Sequence, residues 1–68
     1  MIYDLSIPMA PEDEKNASLI NRRLFDELRK HASPLPPKEE TSFVFVKRSV
    51  DARHGRVKII LRYQAYVG

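Results

Sequence analysis

Basic side chains dominate the stretch KRSVDARHGRVKIILRY, which runs from Lys47 to Tyr63. Six basic residues and one acidic residue give it a net charge of +5, so within a total of +3 the rest of the chain sums to −2. The basic residues are Lys47, Arg48, Arg53, Arg56, Lys58 and Arg62, and the acidic residue is Asp51. Because a local positive field attracts nucleic acid, phosphate-bearing cofactors and acidic protein surfaces, the stretch predicts a binding surface for an anion.

A hydroxyl, a carboxylate and an imidazole also occur close together, at Ser49, Asp51 and His54. These are the groups of a hydrolase triad. They fall near a turn, however, where we expect neither an enclosed pocket nor oxyanion donors. The chain has two glycines and no cysteine, which excludes a glycine-rich phosphate loop and a cysteine-ligated metal. We therefore expect no catalytic residue, no bound cofactor and no metal within these 68 residues.

The elements that would position the basic residues begin with a strand and a helix. Apolar and polar residues alternate over residues 2–7, which predicts a short strand that buries one face and ends at Pro8. Ala17, Ile20, Leu24 and Leu28 then recur at spacings of three and four, which predicts a helix. Acidic residues 12–14 at its beginning and basic residues 29–31 at its end complement the helix dipole. Prolines in residues 33–40 predict a stiff connector.

Residues 41–50 and 56–67 are rich in valine, isoleucine and aromatic side chains and flank Gly55, which predicts a hairpin. A two-residue turn at His54–Gly55, or a four-residue loop, would group residues 44, 46, 50 and 52 with the odd-numbered residues of the last strand. Phe43 and Phe45 would then lie on the opposite face. A three-residue loop with a bulge would instead place both phenylalanines on the face of the odd-numbered residues 57–63, because a one-residue slip exchanges the faces. We prefer the first register, in which Arg48 is the misfit whose head must reach an edge.

The order strand, helix, strand, strand predicts an α+β fold over residues 1–68. We expect a three-stranded antiparallel sheet with one helix on one face, which is half of a ferredoxin-like split unit. The last strand is the longest apolar one and should lie in the middle. The chain ends directly after this strand, which leads us to expect a longer protein. Without a signal sequence or an apolar run of about 20 residues, we expect a cytoplasmic protein and no membrane contact.

The predicted binding or docking patch combines the charged residues of the hairpin with aromatic side chains. Its members are Phe43, Phe45, Lys47, Arg48, Asp51, Arg53, Arg56, Lys58, Arg62 and Tyr66. For Asp51 two roles stay open. It either binds the partner directly or fixes the turn, because aspartate before a turn often accepts backbone hydrogen bonds. Aromatic and basic side chains on a sheet also bind single-stranded RNA. We favour docking to a protein surface over nucleic acid, since no aromatic-rich RNA-recognition strand is present.

The phrase FVFVKRSVDARHGRVKIILRYQAYV resembles the N-terminal segment of the uncharacterised FAD-dependent dehydrogenases, which are large bacterial flavoproteins. Those proteins carry a run like RRSIDAR, which stands here as Lys47, Arg48, Ser49, Val50, Asp51, Ala52 and Arg53. The resemblance extends in pattern to the first strand and the helix. It departs at His54–Gly55, where basic residues are usual.

The resemblance implies that a dinucleotide-binding domain follows in a longer oxidoreductase and that FAD belongs to that region. This segment would then be a non-catalytic accessory domain docked on the flavin-bearing domain of the same chain. A small nucleic-acid-binding module is the rival hypothesis. A regulator with no attached enzyme is a third.

Overall fold

The computed structural model describes residues 1–68 and contains three strands, one α-helix and two short 3-10 turns. The strands are β1 (Ile2–Met9), β2 (Thr41–Arg53) and β3 (Arg56–Val67), and the helix is α1 (Ala17–His31). All strand pairs are antiparallel and the order is β1-β3-β2. The predicted α+β fold, with the last strand in the middle of the sheet, is confirmed.

Strand β1 continues through Pro8 to Met9, although the sequence predicts that proline ends it. Met1 and Val67 exchange both backbone hydrogen bonds, so the odd-numbered residues of β1 bond to β3 and the even-numbered ones face outward. The missing N–H of Pro8 therefore falls on the free edge of the sheet, where nothing needs it. The outward carbonyl of Pro8 instead accepts a hydrogen bond from Arg23 Nη1, at 3.1 Å.

Helix α1 begins later than the acidic cluster predicts. Asn16 is its N-cap, and the side-chain oxygen of Asn16 accepts a hydrogen bond from the Leu19 backbone N–H at 3.1 Å. Residues 11–13 form a 3-10 turn before the helix, so the first turn of α1 holds no acidic residue. The predicted basic end at residues 29–31 is confirmed. No helix of the structure has the length and apolar character needed to cross a bilayer.

The hairpin has the predicted two-residue turn, with Arg53 opposite Arg56. His54 and Gly55 both have positive φ values, 52° and 75°, as a type I′ hairpin turn requires. The rest of β2 departs from the preferred register, because the pairing shifts by one residue between Phe45 and Lys47. This β-bulge at Val46 reverses the alternation of β2. Phe43 and Phe45 therefore share the face that carries Val50 and Ala52 further along the strand.

The core lies between α1 and the half of the sheet formed by β1 and β3. Eight side chains are buried there: Leu5, Ile7, Met9, Leu24, Leu28, Ile59, Leu61 and Ala65. Helix α1 packs mainly over β1, so it leaves much of β2 uncovered on the same face of the sheet. Val50 is accordingly 53% exposed. The apolar face of the hairpin is thus only partly covered by this chain.

The hairpin is longer than β1 and projects past it. The last pair between β1 and β3 is Met9 with Ile59, whereas β2 and β3 remain paired as far as Arg53 and Arg56. Residues 51–58 form this projecting hairpin arm, which makes the molecule elongated, with extents of 40 × 19 × 18 Å. The arm carries four of the predicted patch residues, so the fold presents them away from the core.

Candidate functional site

Five basic side chains share the sheet face that points away from α1. Pairing places Lys47 opposite Arg62 and Arg53 opposite Arg56, and Lys58 lies between these pairs, opposite Asp51. All five basic residues are exposed. We call this set the cationic face, and its members are Lys47, Arg53, Arg56, Lys58 and Arg62. It runs from the middle of the sheet to the tip of the hairpin arm.

The charges on the cationic face are poorly compensated. Among its five members only Arg53 has a carboxylate within 4.0 Å, because its Nε lies 3.1 Å from Asp51 Oδ1. Like charges directly opposite each other on two strands destabilise the pair. Lys47 and Arg62 are such a pair, as are Arg53 and Arg56 at the tip. Within the isolated domain, no carboxylate therefore compensates the repulsion between Lys47 and Arg62.

Asp51 does not fix the turn, contrary to one of the two roles that the sequence leaves open. It lies inside β2, paired with Lys58, and its carboxylate accepts no hydrogen bond from the backbone. The turn is formed instead by His54 and Gly55, both with positive φ. Asp51 instead lies on the cationic face and neutralises part of the charge of Arg53.

Phe43 and Phe45 do not join the cationic face, because the bulge at Val46 turns both toward the side of α1. The Phe43 ring packs edge-on against Phe25 of α1, with centroids 5.0 Å apart. The Phe45 ring packs edge-on against Tyr63, at 5.5 Å. The predicted grouping of both phenylalanines with the basic residues is therefore wrong.

Tyr66 is the one predicted aromatic residue on the same side of the sheet as the basic residues. Its hydroxyl donates to Gln64 Oε1 at 3.0 Å, and Gln64 Nε2 donates to Asp4 Oδ1 at 3.3 Å. Pairing places Tyr66 with Ile2 of β1 and Ser42 of β2, at the opposite end of the sheet from the hairpin tip. Tyr66 thus borders the cationic face without lying among its cations.

Arg48 also lies outside the cationic face, because the register set by the turn places it on the side of α1, opposite Leu61. Its guanidinium binds the Glu14 carboxylate with two nitrogens, Nε to Oε2 and Nη2 to Oε1, the latter at 3.1 Å. The head of Arg48, the predicted misfit, thus lies beside the Glu14 carboxylate. The pair ties β2 to the segment between β1 and α1, a structural role instead of a free docking contact.

Ser49, Asp51 and His54 are not joined by any hydrogen bond. Ser49 and Asp51 lie in β2, whereas His54 is exposed in the turn. No group of three or more histidine, cysteine, aspartate or glutamate side chains is arranged to hold a metal ion. The candidate site is therefore an exposed, positively charged surface, in which Ser49, Asp51 and His54 do not form a hydrogen-bonded set.

Comparison with known protein families gives one match, which covers residues 1–66 and is described as a domain of unknown function, DUF8436. The chain belongs to this family. No curated protein and no solved structure matches the chain significantly. The similarity of the Lys47–Arg53 run to FAD-dependent dehydrogenases therefore stays a prediction.

Sequence reasoning missed Glu14 and Arg23. Both contribute contacts far along the chain, Glu14 to Arg48 and Arg23 to the Pro8 carbonyl. No local pattern signals either contact, since each depends on where α1 crosses the sheet. The odd placement of Arg48 among apolar residues was the one available clue to a distant carboxylate.

The Arg48–Glu14 pair predicts a pH dependence of folding. The hydrogen bond from Arg48 holds the pKa of Glu14 below its ordinary value of 4.5. A carboxylate with a lowered pKa in the folded state stabilises the fold above pH 4.5, and this contribution is lost as the pH falls through the lowered pKa. In Glu14→Gln, urea unfolding should therefore lose less stability between pH 7 and pH 3 than in the wild type.

Glu12→Gln is the matched control, because Glu12 is exposed and makes no ion pair. Its acid sensitivity should equal that of the wild type. Equal losses in the wild type and in Glu14→Gln would show that the pair does not act in solution.

Proposed function

We propose that this domain is a non-catalytic docking module whose cationic face binds an acidic protein surface. The observation that carries the proposal is the exposed pair of Lys47 and Arg62, which lie directly opposite each other with no carboxylate within 4.0 Å. This repulsion is relieved when an anionic partner lies over the pair. A structural role alone offers no reason to keep two unpaired cations in register.

The hairpin tip extends the same surface. A shallow hollow of about 520 Å³ at the tip is lined by Arg53, His54, Arg56 and Lys58, with Asp51 as the one carboxylate. Carboxylates of a partner can accept hydrogen bonds from both arginines there. Since the arm projects beyond β1, it can reach a partner surface without moving the core.

A protein partner is favoured over nucleic acid because stacking groups and cations are separated. Sheets that bind single-stranded RNA place aromatic rings among their basic side chains. Here Phe43 and Phe45 pack on the side of α1, and only Tyr66 lies on the side of the cationic face. The face therefore supplies charge without the aromatic platform that base stacking needs.

For the identity of the partner we propose the flavin-bearing region of an FAD-dependent oxidoreductase in the same polypeptide, located in the cytoplasm. The support is the SVDAR run at Ser49–Arg53, which resembles that family. Reading the gene downstream of codon 68 tests this part. A continuous coding sequence with a glycine-rich dinucleotide fingerprint supports it, whereas a stop codon directly after Gly68 contradicts it.

The docking proposal itself is tested by titrating the labelled domain with poly-L-glutamate and with a single-stranded uridine oligonucleotide at equal charge and low salt. Poly-L-glutamate should bind with an affinity that falls as salt is added, because exposed charges are screened over about 10 Å at 0.1 M salt. The oligonucleotide should bind no more tightly. Tighter binding of the oligonucleotide, weakened by Tyr66→Ala, would favour the nucleic-acid module instead.

A further inference from the structure

Strand β3 has three residues that pair on one side only. Its pairing with β1 ends at Ile59, so Arg56, Val57 and Lys58 are paired with β2 but have no neighbour on the side of β1. The chain itself cannot fill this place. After Met9 it turns away through Ala10 into a 3-10 turn, and Pro11 has no N–H to donate.

The backbone groups of Val57 point into this vacant place. Val67 bonds to Met1 of the β1 side and Gly68 bonds to Glu40 of the β2 side, so odd-numbered residues of β3 face β1. Register is continuous from Tyr66 to Ile59, which extends the alternation to Val57. No backbone hydrogen bond joins Val57 to residues outside the strands. Its N–H and C=O are therefore available to one more extended segment.

A groove of about 480 Å³ lies at this vacant edge, between the exit of β1 and the hairpin arm. Its wall includes the side chain of Val57, which is 46% exposed, beside buried Met9. Three cations surround it, Arg23, Arg56 and Lys58, against one carboxylate, Glu12. The groove thus combines a free strand edge, an apolar wall and a net positive charge.

We infer that this groove binds an extended acidic peptide, which adds as a short strand beside β3 in line with β1. Recognition of this kind takes affinity from main-chain hydrogen bonds and specificity from alternate side chains. Val57 would supply one N–H and one C=O to the peptide, and the three cations would pair with its carboxylates. The inference rests on the proposed docking function and names the form of the acidic partner as an exposed segment of extended chain.

Strand addition at Val57 is tested with a capped peptide, Glu-Val-Glu-Val-Glu, and with its N-methylated counterpart, which keeps the charge but has no backbone N–H. Amide hydrogen exchange followed by NMR should show slower exchange of Val57 with the first peptide only. The exchange rate of the Val50 amide, which faces outward on the other edge of the sheet, should stay unchanged.

The double substitution Arg56→Gln with Lys58→Gln should weaken binding of the first peptide on the order of tenfold. Val57→Pro, which removes the N–H, should reduce the affinity for the first peptide to that for its N-methylated counterpart.

Equal binding of both peptides, or protection of Val50 in place of Val57, would overturn strand addition in the groove. If poly-L-glutamate binds at Lys47 and Arg62 while the Val57 amide stays unprotected, the docking function stands and this inference fails. If neither probe binds, both fall. Protection of Val57 that survives charge reversal at Lys47 would support the groove as a separate site.

Discussion

Replacing Leu61 with alanine is expected to lower the free energy of unfolding by about 2–4 kcal/mol. Leu61 lies on the central strand, is 5% exposed and belongs to the eight-residue core. Removal of the side-chain atoms beyond Cβ leaves a cavity between β3 and α1 that neighbouring groups fill only in part. A domain this small is only marginally stable, so a loss of this size would unfold a large fraction of the molecules.

Val50→Ala is the matched comparison, because the preferred register places Val50 and Leu61 on the same face of the sheet. In the structure Val50 and Leu61 do lie on the same face, but Val50 is exposed on an edge strand. Its loss should cost less than about 1 kcal/mol. Urea unfolding followed by far-UV circular dichroism measures both variants. Equal costs would mean that α1 covers β2 in solution, contrary to the described packing.

Replacing Lys47 with glutamate is expected to raise stability while weakening binding. The change puts an anion directly opposite Arg62, and opposite charges across two strands contribute roughly 0.2–1 kcal/mol. For a domain of this length, 1 kcal/mol corresponds to about 4–8 °C in melting temperature. When a surface serves binding, pairing its charges by substitution often raises the stability of the fold. Thermal unfolding measures this first half of the prediction.

Arg22→Glu is the control for Lys47→Glu. Both substitutions change net charge from +3 to +1, and Arg22 is exposed on α1 away from the cationic face. Arg22→Glu should leave binding of an acidic partner nearly unchanged, apart from the small effect of overall charge. A lower melting temperature for Lys47→Glu would show that Lys47 has a favourable partner that the pairing of β2 with β3 does not contain.

The order of elements, the two-residue turn and the central strand follow from local patterns, because alternation and helical periodicity are set by adjacent residues. The bulge could not be predicted this way. Residues 43–46 are apolar at every position, so either phase of alternation satisfies the pattern. Contacts with Phe25 and Tyr63 decide which phase is used. Tertiary packing therefore removed Phe43 and Phe45 from the predicted patch.

The charged residues of the site follow the same distinction. Lys47, Arg53, Arg56, Lys58 and Arg62 occupy one face because the turn register, which the sequence predicts, fixes their phase. Arg48 follows Lys47 directly, so the same phase places it on the opposite face, where it pairs with Glu14, which is 34 residues away in the chain. The vacant edge at Val57 depends on where β1 ends. The sequence predicts an end at Pro8, because it does not show that the missing N–H of Pro8 falls on the free edge of the sheet.

Binding of poly-L-glutamate to the wild type, Lys47→Glu and Arg22→Glu, measured at low salt beside the melting temperature of each, tests the central claim most directly. We expect Lys47→Glu to melt higher than the wild type and to bind on the order of tenfold more weakly, with Arg22→Glu close to the wild type in affinity. Equal weakening by both substitutions would mean that only overall charge matters. That result would contradict a docking role for the cationic face.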